Sequence, residues 1–546
     1  METLFFQTSS VLLDYGIAKK QVKSLLLSYV AFEEKEYSDT DDAAELLLRL
    51  TDKIQHKMVD RLSHENSYES FLKLLWIFDE IHSRYLVEKA ARVKLVENRI
   101  DDEGINDVFG TNRNIMRYII DSCNVWIENC TLLQHEVDSK SVNTDKMFVL
   151  DKELFVDLFL YGIASHTLSL LMLSKNKDMH CPYYGISVDF SKDIPIEPIK
   201  YHPFIYYNTA ITGNQNVLSE VPLTSEANET AFGKGFKNET NVEFLLFLAV
   251  LHGFQYNMFS GDDKALNIVP KADFIKYVES YTNPQVSGKD FYNHFVLKKY
   301  KIKAHLKKNE KIIWTLGVNK DRYELRPFIE LDDDRIIISY GALEQAKQLW
   351  VSYQSNGGMC YTSPAKSDPI KMGMEIRNKE LSDLLVKKIQ EVLQKHYEPE
   401  VDLVDVRYDR IFGSKEEDYG DYDLMFYSEK QKVLFLIEAK YFSDSLNASG
   451  TVTDFEKMYK SGGYYDHCRG RYDLVMSEQQ KLKDFVGATD EIELHMLFVS
   501  SKPLEMELKD EDDMVTILPL GILEKYIEGK LLDGETGEVV KTDWRI

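Results

Sequence analysis

Apolar residues recur at helical spacing through the first 140 residues, and charged residues fill the positions between them. The spacing is clearest in Leu25–Leu27, Ala44–Leu50 and Phe71–Ile77. Proline is absent from this stretch and glycine is rare, so few residues interrupt a helix. The pattern predicts an all-helical domain over residues 1–140. We expect this domain to bind a protein partner or a second copy of the chain, because nothing in it specifies chemistry.

The pattern changes over residues 145–365 and predicts a mixed α/β middle region. Leu154–Leu173 is apolar over a length that suffices to cross a membrane, but it carries Asp157 and His166, and charged side chains are costly in lipid. We therefore predict a buried core helix and no membrane association. A polar loop over residues 212–240 follows. The further predicted elements are helix Val242–Phe254, strands over residues 312–314, Leu325–Leu331 and Ile336–Ser339, and helix Gly341–Trp350.

Loop residues mark the main domain boundary near residue 365, and a third domain is predicted over residues 370–546. In this third domain, the short turn at residues 428–431 predicts a hairpin between the strands before and after it. Its elements follow the order α-β-β-β-α-β: helix Met374–His396, strands Val401–Tyr408, Asp421–Tyr427 and Val433–Lys440, one or two helices over residues 453–485, and strand His495–Ser500. The three regions together predict a multidomain α+β protein.

The third of these strands ends in charged residues. Val433–Ile437 is a run of consecutive apolar residues, which is typical of a strand buried on both faces. Glu438 and Lys440 follow at once, and charges at the end of a buried strand are costly unless something pairs them. A divalent metal and a phosphate would pair them. Asp423 lies on the preceding strand, so the hairpin is expected to bring it close to Glu438.

The spacing Asp423…Glu438-Ala439-Lys440, together with the order of elements, resembles the PD-(D/E)XK, or restriction-endonuclease-like, nuclease superfamily over residues 370–505. The resemblance implies a mixed sheet flanked by helices and a bound Mg²⁺, with Mn²⁺ as a substitute. The metal ligands would be Asp423, Glu438 and the backbone carbonyl of Ala439. Lys440 would position the attacking water or help to deprotonate it, and would stabilise charge on the phosphate.

Two further carboxylates are candidates under the same resemblance. Asp421 faces the same side of its strand as Asp423 and competes with it as the main metal ligand, or serves as a second carboxylate. The first helix of the family often supplies a glutamate to the site, and Glu380 is the best match here. A solvated helix carboxylate is the open alternative for Glu380.

The net charge of −24 argues against a protein that coats nucleic acid nonspecifically. A local basic groove remains compatible with that charge. A dense basic run around Tyr300 is a candidate phosphate-tracking strip, and a solvated face is the alternative. Basic residues in the helical region after the motif are candidate phosphate contacts. The candidate nucleic-acid-binding residues are Lys298, Lys299, Lys301, Lys303, Arg469 and Arg471, and the run continues through Lys307, Lys308 and Lys311.

The sequence thus predicts a metal-dependent nuclease that hydrolyses phosphodiester bonds. DNA is the expected substrate and RNA stays open. Analogy with other multidomain chains suggests a bacterial restriction or anti-phage effector. The alternative is a non-catalytic interaction or scaffold protein with a degenerate nuclease fold. The five cysteines lie apart without a C-x-x-C pair, and the first residues lack a signal-peptide pattern, so we expect a cytoplasmic protein.

Overall fold

The structure, a computed structural model, is a mixed α+β protein whose described residues form three sheets. Three predicted features lie outside the described residues: the strand over residues 312–314, the part of the polar loop before residue 225, and lysines 307, 308 and 311. The described residues are 10–63, 67–97, 103–133, 149–174, 183–200, 225–259, 266–306, 321–331, 334–357, 368–443, 454, 456–502, 504, 515–532, 537–541 and 544–546.

The N-terminal region is helical as predicted, with one exception. Strand Glu36–Tyr37 pairs antiparallel with Tyr183–Val188, which pairs in turn with Ile196–Lys200. The prediction of an all-helical stretch is wrong at this strand, because two residues show no periodicity and the strand exists only through a distant partner. The helices of the region are Val11–Asp14, Lys19–Tyr29, Thr40–Ser63, Ser67–Glu97 and Glu103–Leu133.

The apolar helix Lys152–Ser174 belongs to this same core. It packs against Thr40–Ser63 and Glu103–Leu133, so the predicted boundary near residue 140 does not separate it from the N-terminal helices. Its segment Lys152–Met172 is long and apolar enough to cross a membrane, and no other helix in the described part of the chain is. Because 94% of this apolar stretch is buried inside the protein, the helix has the surroundings of a core helix.

The middle region surrounds an aromatic core. Part of the predicted polar loop is a helix, Ala231–Thr240, which corrects the prediction for residues 231–240. The Thr230 side chain accepts a hydrogen bond from the Gly233 amide and caps this helix, while Phe232 and Phe236 are fully buried. The Gly, Asn and Thr residues of this segment obscured the helical spacing of its two phenylalanines in the sequence. The other elements are the 3₁₀ turn Ser225–Asn228, helices Phe244–Met258, Lys271–Tyr281, Gly288–Phe295, Lys299–Leu306 and Tyr340–Asn356, and a sheet of strands Asn267–Pro270, Arg335–Ile338, Phe328–Glu330 and Val296–Leu297 in that order.

The C-terminal region contains a five-stranded mixed sheet. Strands Val401–Arg407, Asp421–Ser428 and Val433–Lys440 are antiparallel neighbours. Glu493–Ser500 then lies parallel to Val433–Lys440, and Thr516–Pro519 lies parallel to Glu493–Ser500 at the edge. The predicted elements are present in the predicted order, and the last strand was not predicted. Its helices include Pro369–His396, Asp409–Phe412, Tyr464–Ser477, Gln479–Val486 and Leu520–Ile527.

Helix Pro369–His396 joins the middle and C-terminal cores. Ile370 and Met374 in its first turns are buried in the aromatic core, whereas the later apolar positions pack on the C-terminal sheet. Its first turns cross helix Ala231–Thr240 closely: a Cβ built on Gly373 would lie 2.5 Å from the Ala231 carbonyl oxygen. A single helix that begins just after the predicted boundary near residue 365 therefore belongs to both cores.

Candidate active site

Side chains of the strand Val433–Lys440 alternate between two faces of the C-terminal sheet. Phe435, Ile437 and Ala439 pack with helix Pro369–His396 on one face. Glu438 and Lys440 point to the other face, which is covered by helix Tyr464–Ser477. Five consecutive apolar residues begin the strand, and its charged residues follow at its end, beside helix Tyr464–Ser477.

Three of the predicted site residues come together on this second face. The Lys440 Nζ atom lies 2.6 Å from Glu438 Oε1 and 2.8 Å from Asp423 Oδ2. The Ala439 amide donates a hydrogen bond of 2.7 Å to the same Asp423 oxygen. Lys440 also lies over the ring of Tyr464, with its Nζ 5.5 Å from the ring centroid. The ammonium of Lys440 thus stands between the two carboxylates and joins two strands of the hairpin.

Arg471 completes the network, in a position that the sequence reasoning did not foresee. Its Nη2 lies 2.6 Å from Glu438 Oε2, and only 4% of its side chain is exposed. Its Nη1 donates a hydrogen bond to the backbone carbonyl of Asp421. The prediction that Arg471 contacts a phosphate in the cleft is corrected here: helix Tyr464–Ser477 turns this residue toward the sheet, where it pairs with a carboxylate of the protein itself.

The charges in this network shift one another's pKa values. Burial and the negative charge of Glu438 raise the pKa of Asp423, and Lys440 together with the Ala439 amide offset part of that rise. Burial opposes the charge of Lys440, but Glu438 and Asp423 outweigh it and raise the Lys440 pKa. Burial likewise opposes the charge of Arg471, and Glu438 reverses the effect and raises its pKa. Both cations therefore stay charged at neutral pH.

A group of three aspartates lies beside the network. One carboxylate oxygen from each of Asp405, Asp421 and Asp423 lies within 4.8 Å of the other two. Asp421 and Asp405 are exposed, whereas Asp423 is partly buried and belongs also to the network around Lys440. Carboxylates this close repel unless a cation neutralises them. The oxygen-only donor set suits Mg²⁺, which prefers such ligands and retains several waters.

The sequence reasoning missed Asp405. The strand register pairs Val404 with Leu424 and Val406 with Tyr422, so Asp405 lies between these pairs, and its carboxylate lies near that of Asp423. The hairpin pattern would have placed it there if the register of the first strand had been worked out. The backbone of Asp405 has a φ of 52°, in the left-handed region, and the pairing skips this residue. Asp421 and Asp423 both remain candidates for the main metal ligand.

Glu380 does not join this group in the described structure. It is exposed, and its carboxylate lies 3.0 Å from Arg377 on the same helix. The helix that carries it packs on Phe435 and Ile437, which face away from Glu438 and Lys440. The prediction for Glu380 is therefore corrected in favour of the solvated alternative, since its helix covers the opposite face of the sheet.

Two lysines of the predicted basic strip point into the protein. Lys298 is buried, with its Nζ 3.9 Å from the Tyr292 ring centroid, and burial lowers its pKa. Lys301 donates to the Asn293 carbonyl, and burial with the charge of Arg326 lowers its pKa to about 8. A phosphate-tracking role is not supported for these two residues, because the middle region uses both internally. Of the remaining candidates, Lys299 is half-buried, Arg469 is exposed, and Lys303 lies in helix Lys299–Leu306.

A search of protein-family models, curated proteins and solved structures finds no match to this chain.

Proposed function

We propose that this protein is a metal-dependent phosphodiesterase of the PD-(D/E)XK type, acting as a DNA endonuclease. The observation that carries the proposal is the convergence of Asp423, Glu438 and Lys440 at the end of a buried strand, next to the exposed carboxylate of Asp421. We extend the proposal to a cytoplasmic restriction or anti-phage effector whose N-terminal helices bind a partner or a second copy of the chain.

The connections of the C-terminal sheet support this proposal. A long helix precedes three antiparallel strands, two helices follow, and the next strand returns parallel to the strand that carries Glu438 and Lys440. A nuclease of this type needs this arrangement, because it brings the carboxylates of the hairpin to one edge of the sheet. A helix covers the face of the sheet on which these carboxylates lie. The same arrangement leaves the Asp421 side open to solvent.

The residues divide the proposed chemistry among them. Asp423 would hold the metal, with Asp421 and Asp405 beside it, and Glu438 would hold it from the neighbouring strand. Bound Mg²⁺ supplies a more acidic water and a polarised phosphoryl group. The raised pKa of Lys440 keeps this side chain protonated, so it acts as a fixed cation that orients the attacking water and stabilises negative charge on the phosphate.

The test is a cleavage assay on plasmid DNA, linear DNA and RNA with Mg²⁺, Mn²⁺ or EDTA. Glu438→Gln and Lys440→Gln are the informative variants, because amides keep hydrogen-bonding groups in the network. The matched control is the double variant Glu33→Gln, Lys35→Gln. Glu33 and Lys35 have the same spacing in the chain and pair at 2.6 Å, but both side chains are exposed.

We expect wild type and the control to cleave DNA in a metal-dependent reaction, and we expect both site variants to lose this activity. Both site variants should still unfold with a measurable midpoint, which shows that they are folded. Equal cleavage by wild type and the site variants would contradict the proposal. A folded wild-type protein that cleaves none of the three substrates would favour the scaffold alternative. In that case the ion network would serve only to join the hairpin to helix Tyr464–Ser477.

A further inference from the structure

We infer that Arg471 is a positioning residue that fixes Glu438 and the strand end at Asp421, and so sets the metal affinity of the site. The inference rests on the proposed function and deepens it. It assigns to Arg471 a role toward the protein's own carboxylates, in place of a contact with the substrate.

The first observation is that Arg471 is fully engaged inside the protein. Its Nη2 lies 2.6 Å from Glu438 Oε2, its Nη1 donates to the Asp421 carbonyl, and its Nε donates to the His467 carbonyl at 3.3 Å. The guanidinium also lies over Tyr422, 5.5 Å from the ring centroid. All three nitrogens therefore have acceptors within the chain, and almost no surface remains for a phosphate.

The second observation concerns the two oxygens of Glu438. Lys440 contacts Oε1 and Arg471 contacts Oε2, each at 2.6 Å, so the carboxylate is held from both sides. The two cations lie on different elements, the strand itself and helix Tyr464–Ser477. A carboxylate held in this way is restricted to one orientation, which lowers the entropy cost when it accepts a metal.

The third observation is the backbone contact at Asp421. This residue begins its strand directly after Gly420, which has a φ of 73°, and its carboxylate belongs to the group with Asp405 and Asp423. Arg471 bonds to the carbonyl of Asp421, so one guanidinium ties this strand end to Glu438. Arginine suits the task because its planar fork reaches two acceptors at once, whereas a lysine ammonium is a point charge.

The experiment measures metal binding apart from catalysis. Mn²⁺ affinity is measured by electron paramagnetic resonance without DNA, for wild type, Arg471→Gln and Arg471→Lys. Binding of a short DNA duplex is measured in excess Ca²⁺. The matched control is Arg322→Gln, because Arg322 forms an equally buried ion pair with Glu128 at 2.8 Å in another part of the molecule. Urea unfolding of every variant confirms that it is folded.

We expect Arg471→Gln to bind Mn²⁺ on the order of 10–100-fold more weakly, which is usual when a group that orients a metal ligand is lost. Arg471→Lys should lie between this variant and wild type, and Arg322→Gln should bind Mn²⁺ as wild type does. DNA affinity in excess Ca²⁺ should be the same for all. Unchanged Mn²⁺ affinity in Arg471→Gln would overturn the inference. Weaker DNA binding by the same variant would then favour the earlier prediction that Arg471 contacts the substrate. Failure of wild type itself to bind Mn²⁺ would instead overturn the proposed metal site.

Discussion

Two buried charge networks, one in each half of the molecule, use the same kinds of side chain. In the N-terminal core, the Lys57 ammonium lies 2.8 Å from Asp157 Oδ2, and the Tyr29 hydroxyl donates to Asp157 Oδ1 at 2.5 Å. In the C-terminal sheet, Lys440 contacts Asp423 and Glu438 at similar distances. Both networks place a lysine against a buried carboxylate, so the contacts alone do not distinguish structure from chemistry.

The surroundings distinguish them. Asp157 is completely buried, and its partners come from two other helices, Lys19–Tyr29 and Thr40–Ser63, so the network joins three helices. Asp423 instead lies between its buried partners and the exposed carboxylates of Asp421 and Asp405. The first network reaches the surface through Lys57, which also pairs with the exposed Glu153, so a cation already stands between its carboxylates. The second network adjoins the exposed carboxylates of Asp421 and Asp405. We infer from the difference that only the second can accept a cation without breaking the packing.

The largest expected effect is on stability when a buried partner is removed. Glu438→Ala leaves Arg471 and Lys440 without their shared carboxylate, and an unpaired buried charge costs about 3–5 kcal/mol of unfolding free energy. Glu438→Gln should cost much less, since its amide oxygen still accepts a hydrogen bond. Urea unfolding of both variants measures the difference, and equal stabilities would show that the pairing contributes little.

The next effect concerns catalysis. Lys440→Gln removes the cation that we expect to stabilise developing charge on the phosphate, which is typically worth on the order of 10²–10³ in rate. Single-turnover cleavage at saturating Mg²⁺ measures the loss. If Lys440→Gln cleaved at the wild-type rate, the site would not use this residue, whatever the role of its neighbours.

The same type of change in the N-terminal network provides the contrast. Asp157→Asn weakens charge-assisted hydrogen bonds to Lys57 and Tyr29 and should lower the unfolding free energy by about 1.5–3 kcal/mol. Mn²⁺ affinity and cleavage by the folded fraction should not change. A loss of Mn²⁺ affinity in this variant would remove the distinction between the two networks.

The smallest effect is a pH dependence confined to the N-terminal core. Burial lowers the pKa of His82 to about 4, so the folded protein keeps this ring neutral while the unfolded chain protonates it below about 6.5. The stability from this residue is present above pH 6.5 and is lost as the pH falls toward 4. Between pH 6.5 and 5.5 wild type should lose about 1 kcal/mol more than His82→Gln. Parallel urea-stability curves for the two proteins over this range would contradict the assignment.

Local patterns in the sequence predicted the parts of the site that lie on one hairpin. The run Val433–Ile437 identified a buried strand, and the short turn before it placed Asp423 near Glu438. These inferences needed only the alternation of side chains and the spacing of two strands. The helices of the N-terminal region were predictable for the same reason, since their periodicity is local.

The missed features depend on contacts that no local pattern encodes. To predict the position of Asp405, one would need the register of the strand that pairs with the hairpin. To predict the burial of Arg471, one would need to know how its helix is rotated about its axis. Glu380 was assigned to the site through the family resemblance, and the sequence did not show that its helix covers the opposite face of the sheet. Lys298 and Lys301 form part of a basic run in the sequence, yet the fold turns both inward, so charge density along the chain did not predict charge on the surface.

The central claim is that the carboxylate group around Asp423 holds a divalent metal. A Mn²⁺ titration followed by electron paramagnetic resonance tests this claim most directly. Wild type, Asp423→Asn and Asp157→Asn are titrated at neutral pH without DNA. We expect saturable binding by wild type and Asp157→Asn, and its loss in Asp423→Asn. Equal binding by all three proteins, or none by wild type, would contradict the claim.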